Sequence, residues 1–584
     1  MFKNYLKLAL RGMGRKKLYT IINLTGLGVA SAFCILVYWY VQHEESFDRF
    51  HANGDQLYRL EFSNFFNSGK EETKTNFFSF MMKNSGQQNM IQTPTILAVE
   101  LQKDFSEIEH AVRIIRADAH AVRVNNQSFK EENNAVYADA DFFKVFSFSV
   151  KEGNASTVLA GRNQIVLSEK VASKYFGKAD PVGKTLLLPG EDSTLFTVSG
   201  VTKDFPVNSS FQFDLIMPRE SHPGYKDELN RGLNTFSDLL IIQFKKGINI
   251  QAFQKKLDAF GKRYFQSALK EWAAFPGSTT KPENFHIYLR PFAKAHYNAS
   301  SGWWHYTDLK NIYQLSCLAV VILLIACLNY ILLTLTGTVS RSQEVGVRKT
   351  VGAPRRQIIL QFYIETQLLA FIAVIIGFLL AVICLPLFSS LIGSNLQLVF
   401  FSFQDVFIVL FALGIVLGVL AGIYPALVMS GLKPLNMMRK FSAYRLNPYL
   451  SKFLVVTQFS VCIILIISTL VISSQMRYMN EQELGFDKEQ VVSIENPYGF
   501  FPDSKKIYQL RDRLYHYASM EPAIQNITST WFQYQGYNSN NHIINGERVT
   551  VEDLNVDYNY FTFFNTPIIK GRNFSPDIPG DSAE

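Results

Sequence analysis

Five long apolar runs divide the chain, and each one is long enough to cross a membrane. The runs are Ile21–Val41, Leu315–Leu335, Leu368–Phe388, Val406–Val428 and Phe453–Ile472. Since roughly 20 apolar residues cross a hydrocarbon core of about 30 Å, the pattern predicts five transmembrane helices. The first run is too long for the apolar part of a signal peptide, and the bulky, charged residues after it offer no cleavage site. We therefore expect the first span to be retained.

Two long polar stretches, 42–311 and 473–584, alternate with these runs. Inside the first, Thr194–Val201 has the alternation of a strand and Glu169–Phe176 has the spacing of a short helix. Pro and Gly predict turns at 180–183 and 189–190. This mixed pattern favours an α+β domain over a repeat array or a barrel.

Positive charge is concentrated in the segments 1–20, 336–358 and 429–452, which hold 16 of the 57 lysines and arginines and one acidic residue, Glu344. Basic loops remain on the cytoplasmic side of a membrane. The N-terminus is therefore predicted inside the cell and both polar stretches outside it. No base-reading or stacking element accompanies the charge, so a nucleic-acid partner is not expected.

The predicted organisation follows from these patterns. It comprises a cytoplasmic amphipathic helix (1–20), span one (21–41), an extracytoplasmic domain (42–311), span two (312–335), a cytoplasmic helix and loop (336–367), span three (368–388), span four (406–428), a cytoplasmic basic linker (429–452), span five (453–472) and a partial extracytoplasmic domain (473–584). The amphipathic helix has apolar residues at helical spacing, namely Phe2, Tyr5, Leu6, Ala9, Leu10 and Met13. We expect it to lie among cytoplasmic lipid headgroups.

The segment Ser340–Arg356 between spans two and three has the pattern of a short helix with a firm stop. Glu344 and Arg348 are an i,i+4 pair with the acid first, which is the favourable order. Gly352 can adopt the left-handed conformation that ends a helix, and Pro354 prevents the helix from continuing. An ordinary basic loop is the competing interpretation of the same residues.

The sequence contains no complete catalytic or nucleotide-binding motif. Gly177–Thr185 resembles a phosphate-binding loop, but five residues instead of four separate its first glycine from Gly183. His43-Glu44-Glu45 lacks the second histidine of a zinc motif, so we expect solvated charges at the membrane edge. All five cysteines fall in apolar runs, and we expect small packing residues. The chain is therefore predicted not to be an enzyme and to hold no cofactor or metal.

The span centres contain no ionisable residue, which argues against an ion-driven carrier. Glu365 lies near the predicted cytoplasmic end of span three, and Asn329 and Gln458 are neutral residues expected to make interhelical hydrogen bonds. Span four carries two overlapping G-x-x-x-G pairs, which predict a close helix neighbour. The residues of this packing face are Gly414, Gly418, Gly422 and, near the end of the span, Pro425.

A short sequence in the first polar stretch recurs in the second. Asp139–Gly153 and Asp557–Gly571 align without a gap. The shared positions are Asp139/Asp557, Phe142/Tyr560, Phe143/Phe561, Phe146/Phe564 and Gly153/Gly571. We expect a duplicated unit of one span, one outer domain and three spans. In this interpretation the second copy is incomplete in the present sequence.

Three motifs resemble the FtsX-like and MacB-like permease subunits of ABC transporters. The first lies between spans two and three and consists of Arg341, Glu344, Val345, Gly346, Val347, Arg348, Lys349, Gly352 and Ala353. The second is Ala421–Ala426 at the end of span four, followed by Ser430 and Pro434. The third is the outer-domain run from Ile165 to Leu186 with the following Val198–Pro206. The layout resembles the two-repeat members of the family.

The resemblance implies a fold, a mechanism and partners. The fold is a multi-pass α-helical membrane protein with α+β extracytoplasmic MacB-like domains, located in the bacterial inner membrane. The mechanism is mechanotransmission: a dimer of cytoplasmic ABC ATPase subunits binds and hydrolyses ATP, and residues 341–353 couple its closure to movement of the outer domains. The expected result is export or extraction of amphiphiles, peptides or lipoproteins.

Partners outside the membrane separate the alternatives. A periplasmic adaptor with an outer-membrane channel favours export. A cell-wall hydrolase, or sensing of antimicrobial peptides, favours an FtsX-like regulatory protein that transports nothing. An outer-surface enzyme on a membrane anchor is a third alternative, for which the sequence shows no catalytic residues.

Overall fold

The computed structural model describes most of the chain. The described residues are 2–15, 17–63, 89–117, 121–125, 127–130, 134–188, 194–274, 280–297, 306–336, 345–394, 396, 402–431, 448–482, 490–494, 504–530, 538–544 and 547–581. They form two compact units, one of residues 1–46 and 308–481 and one of 47–307 and 482–584.

Five helices of the first unit are long and apolar enough to cross a membrane. They are span one (Lys17–Glu45), span two (Leu309–Thr336), span three (Arg355–Ile392), span four (Phe403–Gly431) and span five (Pro448–Glu481). Each predicted apolar run lies inside one of them. Span three begins well before the predicted residue 368, because Pro354 caps a helix whose first three turns mix charged and amide side chains with apolar ones.

Spans one to four pack around a shared apolar cluster that includes Leu27, Cys327, Ala370 and Leu417. Span three is central and contacts both span one and span four. At the crossing of spans one and three, a Cβ on Gly377 would lie 2.7 Å from the Ser31 Cβ. In span five, by contrast, no residue from 452 to 481 is buried.

The N-terminal helix, Phe2–Arg15, packs against span three. Ala9 is buried, and Met13 packs on the cluster shared by spans one to four. Leu10, predicted on the apolar face, is exposed together with Leu8. The apolar side of this helix is therefore divided between the protein and an outward surface.

The second unit contains a mixed sheet that, among the described residues, has thirteen strands. They are β1 (Leu57–Phe62), β2 (Gln92–Pro94), β3 (Ile108–Ala117), β4 (Ala121–Val124), β5 (Gln127–Lys130), β6 (Ala135–Ala138), β7 (Val150–Glu152), β8 (Gln164–Ser168), β9 (Thr185–Leu188), β10 (Thr194–Thr202), β11 (Leu215–Pro218), β12 (Phe236–Phe244) and β13 (Ile287–Pro291). The main path runs β13-β1-β12-β3-β6-β11-β8-β10-β9-β4-β5, with β2 paired to β12 and β7 to β10. The β6–β11 and β8–β10 pairs are parallel, and the others are antiparallel.

Helices connect and cover these strands. They are Leu97–Asp104, Phe142–Val145, Glu169–Phe176, Tyr225–Arg231, Ile250–Tyr264, Gln266–Ala274 and Phe292–Ala295. Glu169–Phe176 has the predicted bounds because the Ser168 hydroxyl accepts the Val171 N–H at its start and Gly177, at φ +61°, ends it. The predicted strand Thr194–Val201 is β10. The predicted turn at 189–190 lies outside the described residues.

The later segment of this unit has a helix, Ser504–Met520, and a hairpin of β14 (Asn538–Ile544) and β15 (Glu547–Asp553). A one-turn helix follows at Tyr560–Phe563. It corresponds to Phe142–Val145 in the alignment of the two polar stretches. Both short helices start after a residue with a side-chain oxygen, Asp141 in one and Asn559 in the other.

Candidate coupling site

The segment between spans two and three contains a short helix at residues 345–350. Two backbone hydrogen bonds close its end: Gly352 N–H donates to Lys349 O at 3.1 Å and Ala353 N–H donates to Arg348 O at 3.0 Å. Gly352 has φ +97°. This pattern is the Schellman termination, and the predicted helix stop is confirmed. Pro354 then caps span three.

One face of the 345–350 helix is anchored to the bundle by apolar packing. The Val345 side chain is buried in a cluster with Ile358 and Phe362 of span three and Ala426 and Met429 of span four. Each fully buried aliphatic side chain of this size stabilises packing by about 1.5–3 kcal/mol. The helix is thereby held against the end of the bundle where span one starts and span four ends, which we call the basic end.

Polar contacts fix the same helix at two further points, Arg348 and Lys349, and a third contact joins the start of span three to span four. Lys349 Nζ donates to the Ser430 carbonyl at 2.7 Å, and Arg355 Nε donates to the Ser430 hydroxyl at 3.2 Å. Arg348 Nη1 donates to Gln361 Oε1. Partial burial, and then the charge of Arg355, lower the pKa of Lys349. The C-terminus of span four is therefore tied to both sides of the Gly352 joint.

The opposite face of the helix points outward. Val347 is 56% exposed and Val351 is 83% exposed. Gly352 is exposed, Gly346 is buried and Ala353 is half-buried. Arg341 and Glu344 lie outside the described residues, so the predicted Glu344–Arg348 pair is not described. Two exposed valines on a short, anchored helix form a small apolar surface that a partner protein can cover.

The glycine face of span four packs on span three. A Cβ would lie 2.5 Å from Phe371 at Gly414, 2.1 Å from Gln367 at Gly418 and 3.1 Å from Thr366 at Gly422. Gln367 Nε2 also donates to the Gly414 carbonyl at 2.8 Å. The predicted close neighbour of span four is therefore span three of the same chain. Pro425 is buried one turn further along.

Sequence reasoning missed several residues of this site. Gln361 and Gln367 belong to none of the sequence motifs, and Ser430 belongs only to the motif at the end of span four. Asn329 of span two faces span one, since its Nδ2 lies 4.0 Å from the position that a Cβ on Gly26 would occupy. Ser430, spaced at i+8 from Gly422 on the same helix, offered a detectable signal because it continues the small-residue face. Pro434 lies outside the described residues.

The structure also bears on the rejected motifs. Gly177–Thr185 connects a helix to a strand, whereas a phosphate-binding loop connects a strand to a helix. Among the described residues, no group of three or more His, Cys, Asp or Glu residues could hold a metal ion. The expectation of solvated charges at 43–45 is wrong for two of the three residues. His43 and Glu44 are buried, and His43 Nδ1 lies 3.5 Å from the hydroxyl of Ser394, just after span three.

Comparison with known proteins identifies the family. Residues 20–260 match the MacB-like periplasmic core domain, and residues 316–434 match the FtsX-like permease C-terminal domain. The chain belongs to the FtsX- and MacB-like ABC permeases. This permease is accordingly a multi-pass helical membrane protein with an α+β extracytoplasmic domain, and the predicted fold class is confirmed.

Curated relatives of this permease share low identity. The macrolide export ATP-binding/permease protein MacB of Bdellovibrio bacteriovorus is 23% identical over 304 residues, which are 50% of this chain and 40% of that protein. The MacB of Campylobacter jejuni strain 81-176 is 26% identical over 125 residues, 21% of this chain and 19% of that protein. The uncharacterized ABC transporter permease YknZ of Bacillus subtilis is 23% identical over 278 residues, 47% of this chain and 63% of that protein. The match thus covers less than half the length of these MacB relatives.

Solved domain structures overlap this permease weakly. A domain of a putative permease from Porphyromonas gingivalis has 18% identity and a TM-score of 0.34, covering 46% of this chain and 99% of that one. The periplasmic region of MacB from Actinobacillus actinomycetemcomitans has 15% identity and a TM-score of 0.26, covering 41% and 91%. Scores this low add nothing to the family assignment.

Proposed function

We propose that this chain is the permease subunit of an ABC complex and that the 345–350 helix receives the movement of a cytoplasmic ATPase. The anchored helix with its exposed valines is the observation that carries the proposal. The helix is closed by a Schellman turn and held by Val345, Arg348 and Lys349, and it exposes Val347 together with Val351 just after its end. A rigid element of this kind transmits a push without bending.

The orientation in the membrane follows from charge. We infer that the basic end faces the cytoplasm at a bacterial inner membrane, because the segments 1–20, 336–358 and 429–452 are strongly basic. The 47–307 domain and the later segment are then outside. Closure of an ATPase dimer displaces the 345–350 helix, and the spans convey the displacement outward as mechanotransmission.

The energy source is placed in a partner. MacB is named as an ATP-binding/permease protein, and residues 316–434 of this chain match the FtsX-like permease C-terminal domain. The outer domains would act on an amphiphile, peptide or lipoprotein, with an adaptor and outer-membrane channel as further partners. Co-purification of a cell-wall hydrolase in place of those partners would favour the regulatory alternative.

A charge placed on the exposed valines tests the docking step. We expect the double variant Val347→Asp and Val351→Asp to reduce the ATPase that co-purifies from membranes at least about tenfold, because 1.4 kcal/mol of lost interface energy is tenfold in affinity. Val99→Asp is the matched control, since Val99 is 49% exposed on a helix of the outer domain. Undiminished ATPase in the double variant would contradict the docking assignment.

A further inference from the structure

A small polar cavity lies among the helices at the basic end. Its volume is about 20 Å³, which is enough for one water molecule. All four packed spans and the N-terminal helix contribute to its walls, and its polar lining includes Tyr19, Tyr330, Thr334, Glu365 and Thr366. Glu365, near the start of span three, therefore lines an internal space. A cavity of this polarity is unusual inside a bundle whose shared cluster is apolar.

Two hydroxyl pairs join the spans beside this cavity. The Tyr19 hydroxyl lies 2.7 Å from the Thr334 hydroxyl and joins spans one and two. The Tyr330 hydroxyl lies 2.9 Å from the Thr366 hydroxyl and joins spans two and three. Tyr330 and Thr366 are both buried.

The direction of each hydrogen bond follows from the proton count. Thr366 donates its one hydroxyl proton to the Phe362 carbonyl at 3.1 Å, so Tyr330 donates to Thr366. Thr334 donates to the Tyr330 carbonyl at 2.8 Å, so Tyr19 donates to Thr334. Hydrogen bonds thus link Tyr19 of span one to Thr334 and Tyr330 of span two, and the Tyr330 hydroxyl to Thr366 of span three.

Phe362 connects this chain to the 345–350 helix. Its carbonyl accepts from Thr366, its side chain packs in the Val345 cluster, and it lines the cavity. Span four meets the same point, because Gly422 packs on Thr366 and Pro425 lines the cavity. Any displacement of Val345 is therefore applied one helical turn from the Tyr330–Thr366 pair.

Spans one and two are the segments through which the chain enters and leaves the outer domain, at residues 46 and 308. A hydroxyl can exchange a protein partner for water at little cost in energy. A dry apolar contact has no such alternative, since separating it leaves a void. Hydroxyl pairs beside a water-sized cavity thus permit two arrangements of the same spans with every polar group satisfied.

We propose that Tyr19, Tyr330, Thr334 and Thr366 form a hydrated joint that passes displacement of the 345–350 helix to spans one and two. This inference rests on the proposed function and deepens it, because it names the residues that follow docking in the sequence of movements. The four residues are positioning residues. They touch neither ATP nor the docking face.

The test removes hydroxyl groups and preserves shape. Tyr330→Phe combined with Thr366→Val is measured in the purified complex of the full chain with its co-purifying ATPase, reconstituted in lipid. We expect permease-stimulated ATP hydrolysis to fall about fivefold or more, the equivalent of about 1 kcal/mol for an interhelical hydrogen bond, while the amount of bound ATPase is unchanged. Thr366→Ser, which keeps the hydroxyl, is expected to retain stimulation.

Thr469→Val is the matched control. Thr469 is exposed on span five and its hydroxyl donates to its own Leu465 carbonyl at 2.8 Å, as Thr366 does to Phe362. Full stimulation in the double variant would overturn the joint, and so would an equal loss in Thr469→Val. Loss of bound ATPase in parallel with activity would also overturn it. Failure of the wild-type chain to bind any ATPase is a different result, which defeats the proposed function itself.

Discussion

Two segments of the second unit, Asp139–Gly153 and Asp557–Gly571, have the same local structure in different surroundings. Each begins with an aspartate whose carbonyl accepts an N–H at 3.0 Å, from Phe142 in one and from Tyr560 in the other. Ring centroids of Phe142 and Phe146 are 4.9 Å apart, and those of Tyr560 and Phe564 are 4.8 Å apart. Each segment ends at a glycine with positive φ, +97° and +100°.

The surroundings of the two segments differ in packing and in charge. Phe142 is fully buried in a cluster with Phe205, Phe211 and Phe292, and Asp139 accepts hydrogen bonds from Arg113 at 2.8 and 2.9 Å. In the later segment, Ile569 is 99% exposed. Asp557 accepts from hydroxyl groups, those of Tyr515 and Ser529. A short sequence therefore sets the turn and ring contacts by itself, and the core around it is a separate contribution.

The largest test of this comparison truncates the central ring. Phe142→Ala is expected to cost about 3–5 kcal/mol, the usual range for a buried aromatic side chain. Tyr560 is also buried, at 9% exposure against 0% for Phe142, so Tyr560→Ala is expected to cost somewhat less, about 2–3 kcal/mol. Hydrogen exchange resolved by peptide in the full chain measures both. Equal losses of protection in the two segments would show that the later one is as fully packed.

A second test adds one methyl group to each terminal glycine. At Gly153 a Cβ would lie 2.6 Å from the Ser199 carbonyl oxygen, whereas at Gly571 nothing lies within 4 Å. Gly153→Ala therefore combines backbone strain with overpacking and is expected to cost about 2–4 kcal/mol. Gly571→Ala introduces backbone strain only and is expected to cost about 1 kcal/mol of folding stability. The comparison fails if the two alanine variants change exchange protection equally.

The smallest expected effect is the pH dependence of folding stability that arises from His51, which contacts the first segment. His51 lies among the rings of Phe146, Phe148 and Phe292, and its Nδ1 accepts the Ser147 N–H at 3.1 Å. Burial lowers the pKa of His51 to about 4. The unfolded chain binds a proton near pH 6.5, so folding stability is lost as the pH falls below that value toward 4. Burial also raises the pKa of Asp48 to about 6, against the hydrogen bonds from Ser210, and this favours folding over much of the same range.

Because these two contributions oppose each other, the measurement is a difference between variants. Between pH 7 and pH 5, wild type is expected to lose roughly 2 kcal/mol relative to His51→Gln, which keeps an acceptor for Ser147. Thermal unfolding of the full chain in detergent measures the difference. A constant difference between the two proteins across this range would mean that His51 is protonated as easily in the folded protein as in the unfolded one.

Local signals account for the features that could be predicted. Ser168 and Gly177 bound a helix because caps act within one turn, and Gly352 and Pro354 end another for the same reason. The apolar runs predict where the chain meets the hydrocarbon, but they do not mark helix ends, so they do not predict the start of span three at Arg355. Tyr330 and Thr366 are 36 residues apart and meet because of the register between two spans. That register depends on the packing of glycines and rings, which a single sequence does not display.

The Gly352 joint has a mechanical consequence. Span three has 38 residues, which at 1.5 Å per residue makes a rod about 57 Å long. The short helix and this rod meet at an elbow beside the Val345 cluster, where span four is also fastened through Ser430. With the rod pivoting at that end, a rotation of about 5° would sweep its far end through roughly 5 Å. Span three would therefore act as a lever arm, because a small rotation at its first residues produces a much larger displacement at its last ones.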